Sequence, residues 1–156
     1  TTLFRSNDAD VMFATMMVPH HEQAVEMSEM LLAKDDIAPD VADLAQRIMD
    51  AQGPEIDTMN GWLEEWGVDA SEHEGMDHGD GGMMSEEDMA ELEDATGADA
   101  SRLYLEQMIE HHEGAIAMAE DEVADGQDPD AVELAQTIVD TQQAEIEEMQ
   151  QLLTNL

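Results

Sequence analysis

Apolar positions in this chain recur every three to four residues, in four long stretches. In the first, Phe13, Met17, Ala24 and Leu31 share one stripe of a helix turning about 100° per residue, while Glu22, Glu26 and Glu29 point largely away. No window alternates with the period of two that marks a strand. A cap at Asn7–Asp8 opens a first helix that should run to near Lys34, and Asp36 to Asp40 forms a turn. Pro39 or Asp40 begins a second helix reaching about Trp66. Asp99 is expected to cap a third long helix ending near Asp125–Gly126, and Asp128–Pro129 opens the last, with proline at the first helical position. Between these pairs, Ser85-Glu-Glu-Asp88 resembles a capping box that starts a short helix lasting to Thr96–Gly97.

The two halves repeat each other. Phe13 matches Tyr104, Met17 matches Met108, and the pair His20–His21 matches His111–His112. Ala24 matches Ala115 and Met27 matches Met118. Further on, Ala45-Gln46, Ile48, Gln52, Glu55-Ile56 and Met59 match Ala135-Gln136, Ile138, Gln142, Glu145-Ile146 and Met149. This is an internal duplication of a helical hairpin. It predicts an all-α, four-helix bundle forming one domain over residues 1–156. Repeat 1 spans about 8–66, a Gly/Met/His-bearing linker about 67–96, and repeat 2 about 98–155.

Charge narrows the partners. Forty Asp and Glu stand against four Lys and Arg, a formal net charge of −36 in 156 residues. Such a field repels nucleic acid and anionic lipid, and its self-repulsion weakens as salt rises. A solvated surface adapted to a salt-rich, halophilic setting accounts for it, and concentration of cations is the further reading. No apolar run approaches the ~20 residues of a membrane span, and no signal peptide is visible. The chain starts at Thr1 without methionine, the look of a trimmed product.

Candidate chemistry lies in the duplicated phrases. Four of the six histidines sit there, each pair bracketed by methionines. With no cysteine in the chain, a soft-metal site must use thioether and imidazole, donors that suit Cu(I) first. At helical spacing Met17 and His21 fall within about 40° of each other and His20 about 60° to the other side, so the set lies on the inward face. Buried imidazoles without partners cost roughly 1–3 kcal/mol each, a cost that a shared ion would answer. The competing reading is a structural or interaction bundle whose Met/His face merely packs, as core or as a dimer seam. His73, Met76, His78, Met83 and Met84 in the linker could capture a metal or simply belong to a polar connection.

Enzymatic uses fare badly. A di-iron carboxylate centre needs Glu-x-x-His on two helices, but Met17 and Val18 precede His20 and His21 by three residues, as Met108 and Ile109 precede His111 and His112. Two histidines one turn apart, as zinc proteases require, are absent, and no nucleophile triad can be assembled. A non-enzymatic metal holder is the expectation. Pro19 should kink the first helix just before His20.

The phrase Met-x-x-His-His-x-x-Ala-x-x-Met resembles the family called domain of unknown function 305. So does the Ala45-Gln-Arg-Ile…Met59…Trp62-Leu63 helix, and the likeness runs from Val11 to Leu153 in both repeats. The resemblance implies a ferritin-like bundle that is secreted, periplasmic or at the cell surface. It also implies binding of copper as Cu(I), or of Ag(I), for sequestration, buffering or delivery. The ligands it implies are Met17, His20, His21, Met27, Met59, Met108, His111, His112, Met118 and Met149, with a copper-exchange partner or a homo-oligomer as further expectations.

Overall fold

Helix starts are written into the side chains. Asn7 accepts a hydrogen bond from the Asp10 N–H while Asp10 accepts one from the Asn7 N–H, a reciprocal box that opens α1 (Asp8–Leu32). Ser85 and Asp88 form the same box at the head of α3 (Glu86–Asp94). Prolines occupy the first position of α2 (Pro39–Glu65) and α5 (Pro129–Asn155), where no amide donor is needed. Between them lies α4 (Gly97–Asp125). These elements come from a computed structural model that describes residues 6–68 and 81–156. His73, Met76 and His78 of the linker fall outside the described residues.

One expectation about local structure needs correcting. Asp99 does not cap α4: Thr96 is the N-cap, and Asp99 stands in the first turn, where its charge faces the positive end of the helix dipole. Helix α1 continues through Pro19, which sits exposed on its outer side, and α2 likewise continues through Pro54. On an exposed face the amide that proline lacks exposes only a carbonyl that water can satisfy.

The four long helices form an all-α bundle, with α1 packed on α2 and α4 on α5. The hairpins join through an antiparallel α1–α4 contact whose register is fixed at several levels. Asn7 donates to the Asp125 carbonyl, His20 meets His111, and the Ser28 hydroxyl lies 2.7 Å from that of Tyr104. The repeat is therefore a pseudo-twofold: the start of each first helix meets the end of the other. Short α3 lies over α1 and α4, and Lys34 ties it down by donating to the Glu93 and Ala95 carbonyls at its C-terminal end. Arg47 bridges α2 to Glu148 of α5 with two hydrogen bonds.

One asymmetry in the core explains itself. Phe13 and Ala119 pack in one half, and their repeat equivalents, Tyr104 and Ser28, share a buried hydrogen bond in the other. The hydroxyls came as a pair, because either alone would be buried without a partner. Tyr104→Phe should therefore lower stability by about 1–2 kcal/mol. The double change Tyr104→Phe with Ser28→Ala, which copies the first half, should recover most of that loss in a denaturant titration. Equal destabilisation by both variants would refute the pairing.

At the α1–α4 junction two carboxyl groups meet inside the protein. Asp10 accepts from the Asn7, Gln127 and Asp128 amides. Burial raises the Asp10 pKa, but Glu122 and these donors outweigh it and leave the pKa lowered. Glu122 is 1 % exposed; burial, then its bond to Asp10 and the charges of Asp10, Asp128 and Asp125, push its pKa up to about 9. It thus holds a proton at neutral pH that it can donate to Asp10. A carboxyl protonated in the native state and ionised in the unfolded chain costs stability as pH rises from its ordinary value near 4.5 towards 9. The denaturation midpoint should fall from pH 7 to 9, by up to about 1.4 kcal/mol per pH unit, and Glu122→Gln should flatten the fall. A parent protein equally stable at pH 7 and 9 would show that Glu122 is not protonated.

Candidate metal centre

The apolar core is cut in two by a polar layer. On one side Phe13, Met17, Met59, Leu63, Ala115, Ala119 and Ile138 pack together; on the other are Ala24, Met27, Leu31, Ile48, Tyr104, Met108 and Met149. Between them, every long helix contributes polar side chains: His20 and His21 from α1, Gln52 and Glu55 from α2, His111 and His112 from α4, Gln142 and Glu145 from α5. All four histidines are buried.

Hydrogen bonds fix three of the imidazoles. His21 Nε2 lies 2.7 Å from Glu55 Oε1, and His112 Nε2 lies 2.6 Å from Glu145 Oε1. His20 Nε2 lies 3.0 Å from the Gly81 carbonyl oxygen. Carbonyl and carboxylate oxygens accept, so in each case Nε2 carries the proton. The Nδ1 atoms of His20, His21 and His112 have no partner, nor does either nitrogen of His111. A carboxylate or carbonyl holding the far nitrogen of an imidazole is how proteins orient histidine towards a metal.

His20 and His111 touch across the pseudo-twofold, ring centroids 3.7 Å apart and planes inclined by 36°. Burial drives the His20 pKa down to about 4, assisted by His21 and His112 against the opposing bond to Gly81. Burial, followed by the neighbouring histidines, also holds His111 well below its ordinary value. Both rings are neutral at pH 7, with lone pairs free. Their faces, rather than their nitrogens, are opposed, so the contact itself holds no ion between the rings.

Nine of the ten predicted ligands are buried: the four histidines with Met17, Met27, Met59, Met108 and Met149; Met118 is half-buried. The methionines group across the two repeats rather than within them. Met17 and Met59 share a cluster with Met118 of the second repeat, and Met108 and Met149 share one with Met27 of the first. The cause is the antiparallel α1–α4 register, which brings the end of each histidine helix to the start of the other. Neither hairpin holds a complete triple. Of the linker residues, Met84 is buried in the second cluster and Met83 is half-buried. Among the described residues, no three His, Asp or Glu side chains converge well enough to hold a metal without thioethers.

Sequence reasoning missed Glu55 and Glu145, although the repeat matches them to each other; their conjunction with the histidine pairs was the available signal. It also missed how the incoming linker is held. Gln23 on α1 donates to the Met84 carbonyl and accepts from its N–H. At the equivalent place on α4 stands Gly114, where a Cβ would collide with the Gly81 carbonyl and crowd Gly82. Gly82 itself has φ +79°, which favours glycine. The strap from Gly81 to Met84 thus crosses the bundle against α4 and covers His20. A helix-interior glycine normally gains about 1 kcal/mol on replacement by alanine. Gly114→Ala should instead destabilise by about 1–3 kcal/mol by dislodging the strap, and should raise the His20 pKa as water reaches its ring, readable by NMR titration. A stabilised Gly114→Ala protein would disprove this packing.

The family model for domain of unknown function 305 (DUF305) matches residues 10–153. A DUF305 protein from Streptomyces coelicolor, whose name proposes that it is secreted, is 34 % identical. Its structure superposes with a TM-score of 0.86 over 94 % of this chain and 93 % of that one. A DUF305 fragment from Deinococcus radiodurans is 31 % identical, with a TM-score of 0.84 over 97 % and 99 % of the two chains. CopM in its Cu(I)-bound form is 31 % identical, with a TM-score of 0.77 over 94 % of this chain and 96 % of CopM, and that protein has also been solved with Cu(II) and with silver. No curated protein matches the sequence. Fold, matched residues and relatives agree, and the chain belongs to the DUF305 family.

Proposed function

We propose that this protein binds Cu(I), and Ag(I) as its chemical analogue, to sequester, buffer or deliver the ion without catalysing a reaction. The observation that carries the reading is the row of buried imidazole nitrogens without partners, flanked on both sides by buried thioethers. His20, His21, His111 and His112 would supply nitrogen. Met17, Met59 and Met118 on one side, and Met27, Met108 and Met149 on the other, would supply sulfur. Soft thioethers with borderline imidazoles select a monovalent d10 ion over the hard cations that the acidic surface attracts. The copper- and silver-bound forms of CopM support the reading at about one-third identity. The secreted naming of the Streptomyces relative supports a location outside the cytoplasm; among the described residues no helix is long and apolar enough to cross a membrane.

A packing role has one observation in its favour: Glu55 and Glu145 already satisfy one nitrogen each of His21 and His112. The two readings separate in an anaerobic Cu(I) titration against a competing chelator. A metal holder should bind stoichiometrically, and free Cu(I) at a hundred times Kd should stabilise the fold by about 2.7 kcal/mol. Met17→Leu with Met108→Leu, which conserves volume, should weaken binding at least about tenfold, or 1.4 kcal/mol. Unchanged affinity in the double variant would remove these thioethers from the ligand set, and no binding by the parent would leave the packing role.

A further inference from the structure

Away from the histidine layer, a cleft of about 380 Å³ opens between the start of α1 and the end of α4. It is lined by Met12, Met16 and Met118, with Phe13 behind them and Asp121, Glu122 and Asp125 at the acidic wall. Met12 and Met16 are one helical turn apart on α1, and Met118 faces them from α4, so three thioethers from two helices share one space. Met12 is 53 % exposed, the most exposed of the large hydrophobic residues among those described. Its thioether is therefore accessible from solvent at the mouth of the cavity.

The repeat sharpens the point. The positions equivalent to Met12, Met16 and Met118 are Leu103, Gln107 and Met27. That other cleft is closed: α3 lies on it, Leu103 packs into the core cluster with Leu92 and Met89, and Gln107 donates to the Asp88 carbonyl. Where the cleft is closed, the chain carries a leucine and a hydrogen-bonding amide. Where it stays open, both are methionine. Glu122 forms the buried part of the acidic wall. It is 1 % exposed and lines the cleft, and neither carboxyl oxygen receives a hydrogen bond from a neighbour. A proton shared with Asp10 engages one oxygen and leaves the other without a partner at the wall.

We infer that this cleft is a second soft-metal site, in which Met12, Met16 and Met118 bind Cu(I) or Ag(I) outside the histidine layer. Three neutral sulfur donors suit a monovalent d10 ion and reject hard cations, while Asp121 and Asp125 raise its local concentration. Phe13 and Met118 also pack in the cluster that contains Met17 and Met59, so the cleft adjoins the inner thioethers. The inference rests on the soft-metal reading above, and its test separates the two.

The full-length protein, labelled with 13C at the methionine methyls, is titrated with Ag(I) and followed by NMR. The methyl signals of Met12 and Met16 should move, with that of Met118 at the border of both sites, in addition to those of Met17, Met27, Met59, Met108 and Met149. Met12→Leu with Met16→Leu, which keeps the apolar volume of the wall, should bind one fewer Ag(I) per chain while the inner methyls still respond. Inner methyls that respond while Met12 and Met16 stay still, or a double variant with full stoichiometry, would overturn the cleft site and leave the proposed function standing. Silence from every methyl would overturn both. A shift of the cleft signals accompanied by dimerisation, with stoichiometry intact in the variant, would assign the cleft to contact between copies and overturn the metal site.

Discussion

The close approach of α1 and α4 at the histidine layer is the constraint on which the rest of the molecule depends. His20 and His111 touch there, with the small, buried Ala24 and Ala115 one turn further along their helices and Gly114 making room for the strap. Bring the helices further apart and the layer would admit water, the pKa depression of both rings would relax, and the strap over His20 would lose its seat. The same approach brings methionines of one repeat into the cluster of the other. Burial of the imidazoles, sharing of the thioethers and closure by the linker are three results of one helix contact.

Placing eight polar side chains across the middle of a bundle, six of them buried, is costly unless the buried ones find partners. The structure meets that cost in part. Glu55, Glu145 and the Gly81 carbonyl satisfy three imidazole nitrogens, while several Nδ1 atoms and the Oε1 atoms of Gln52 and Gln142 remain without partners. A small void of about 10 Å³ between Gln52, Glu55, Gln142 and Glu145 is at the lower limit for one water molecule. A core built for stability alone would fill these places with leucine and isoleucine. What is kept instead is a set of oriented lone pairs, which is the physical content of calling the layer a candidate site.

The bundle could be read from the sequence because it rests on period and punctuation. Asn7, Pro39, Ser85, Asp128 and Pro129 mark helix starts by local chemistry, and the repeat fixes which faces turn inward. Asp99 misled because an acid in a first turn and an acid at a cap look alike in sequence, and only the backbone at Thr96 distinguishes them. The candidate ligands were identifiable one at a time, but not their partition. Whether Met118 joins Met108 or Met17 depends on the antiparallel register of two helices far apart in the chain, which no local pattern encodes. Glu55 and Glu145 were overlooked for a related reason: on a helix wheel each sits at the border of the apolar face, and only the opposing histidine shows why.

The short helix α3 has a consequence for the molecule as a whole. Two equal hairpins about a pseudo-twofold would give a container with two equivalent mouths. By lying over one end and being fastened there by Lys34 and Gln107, α3 removes that equivalence. Among the described residues, the α1–α4 seam is covered by α3 at one end and opens into the Met12–Met118 cleft at the other. A duplicated sequence is thereby given two unlike ends, set by a nine-residue helix that carries none of the predicted ligands.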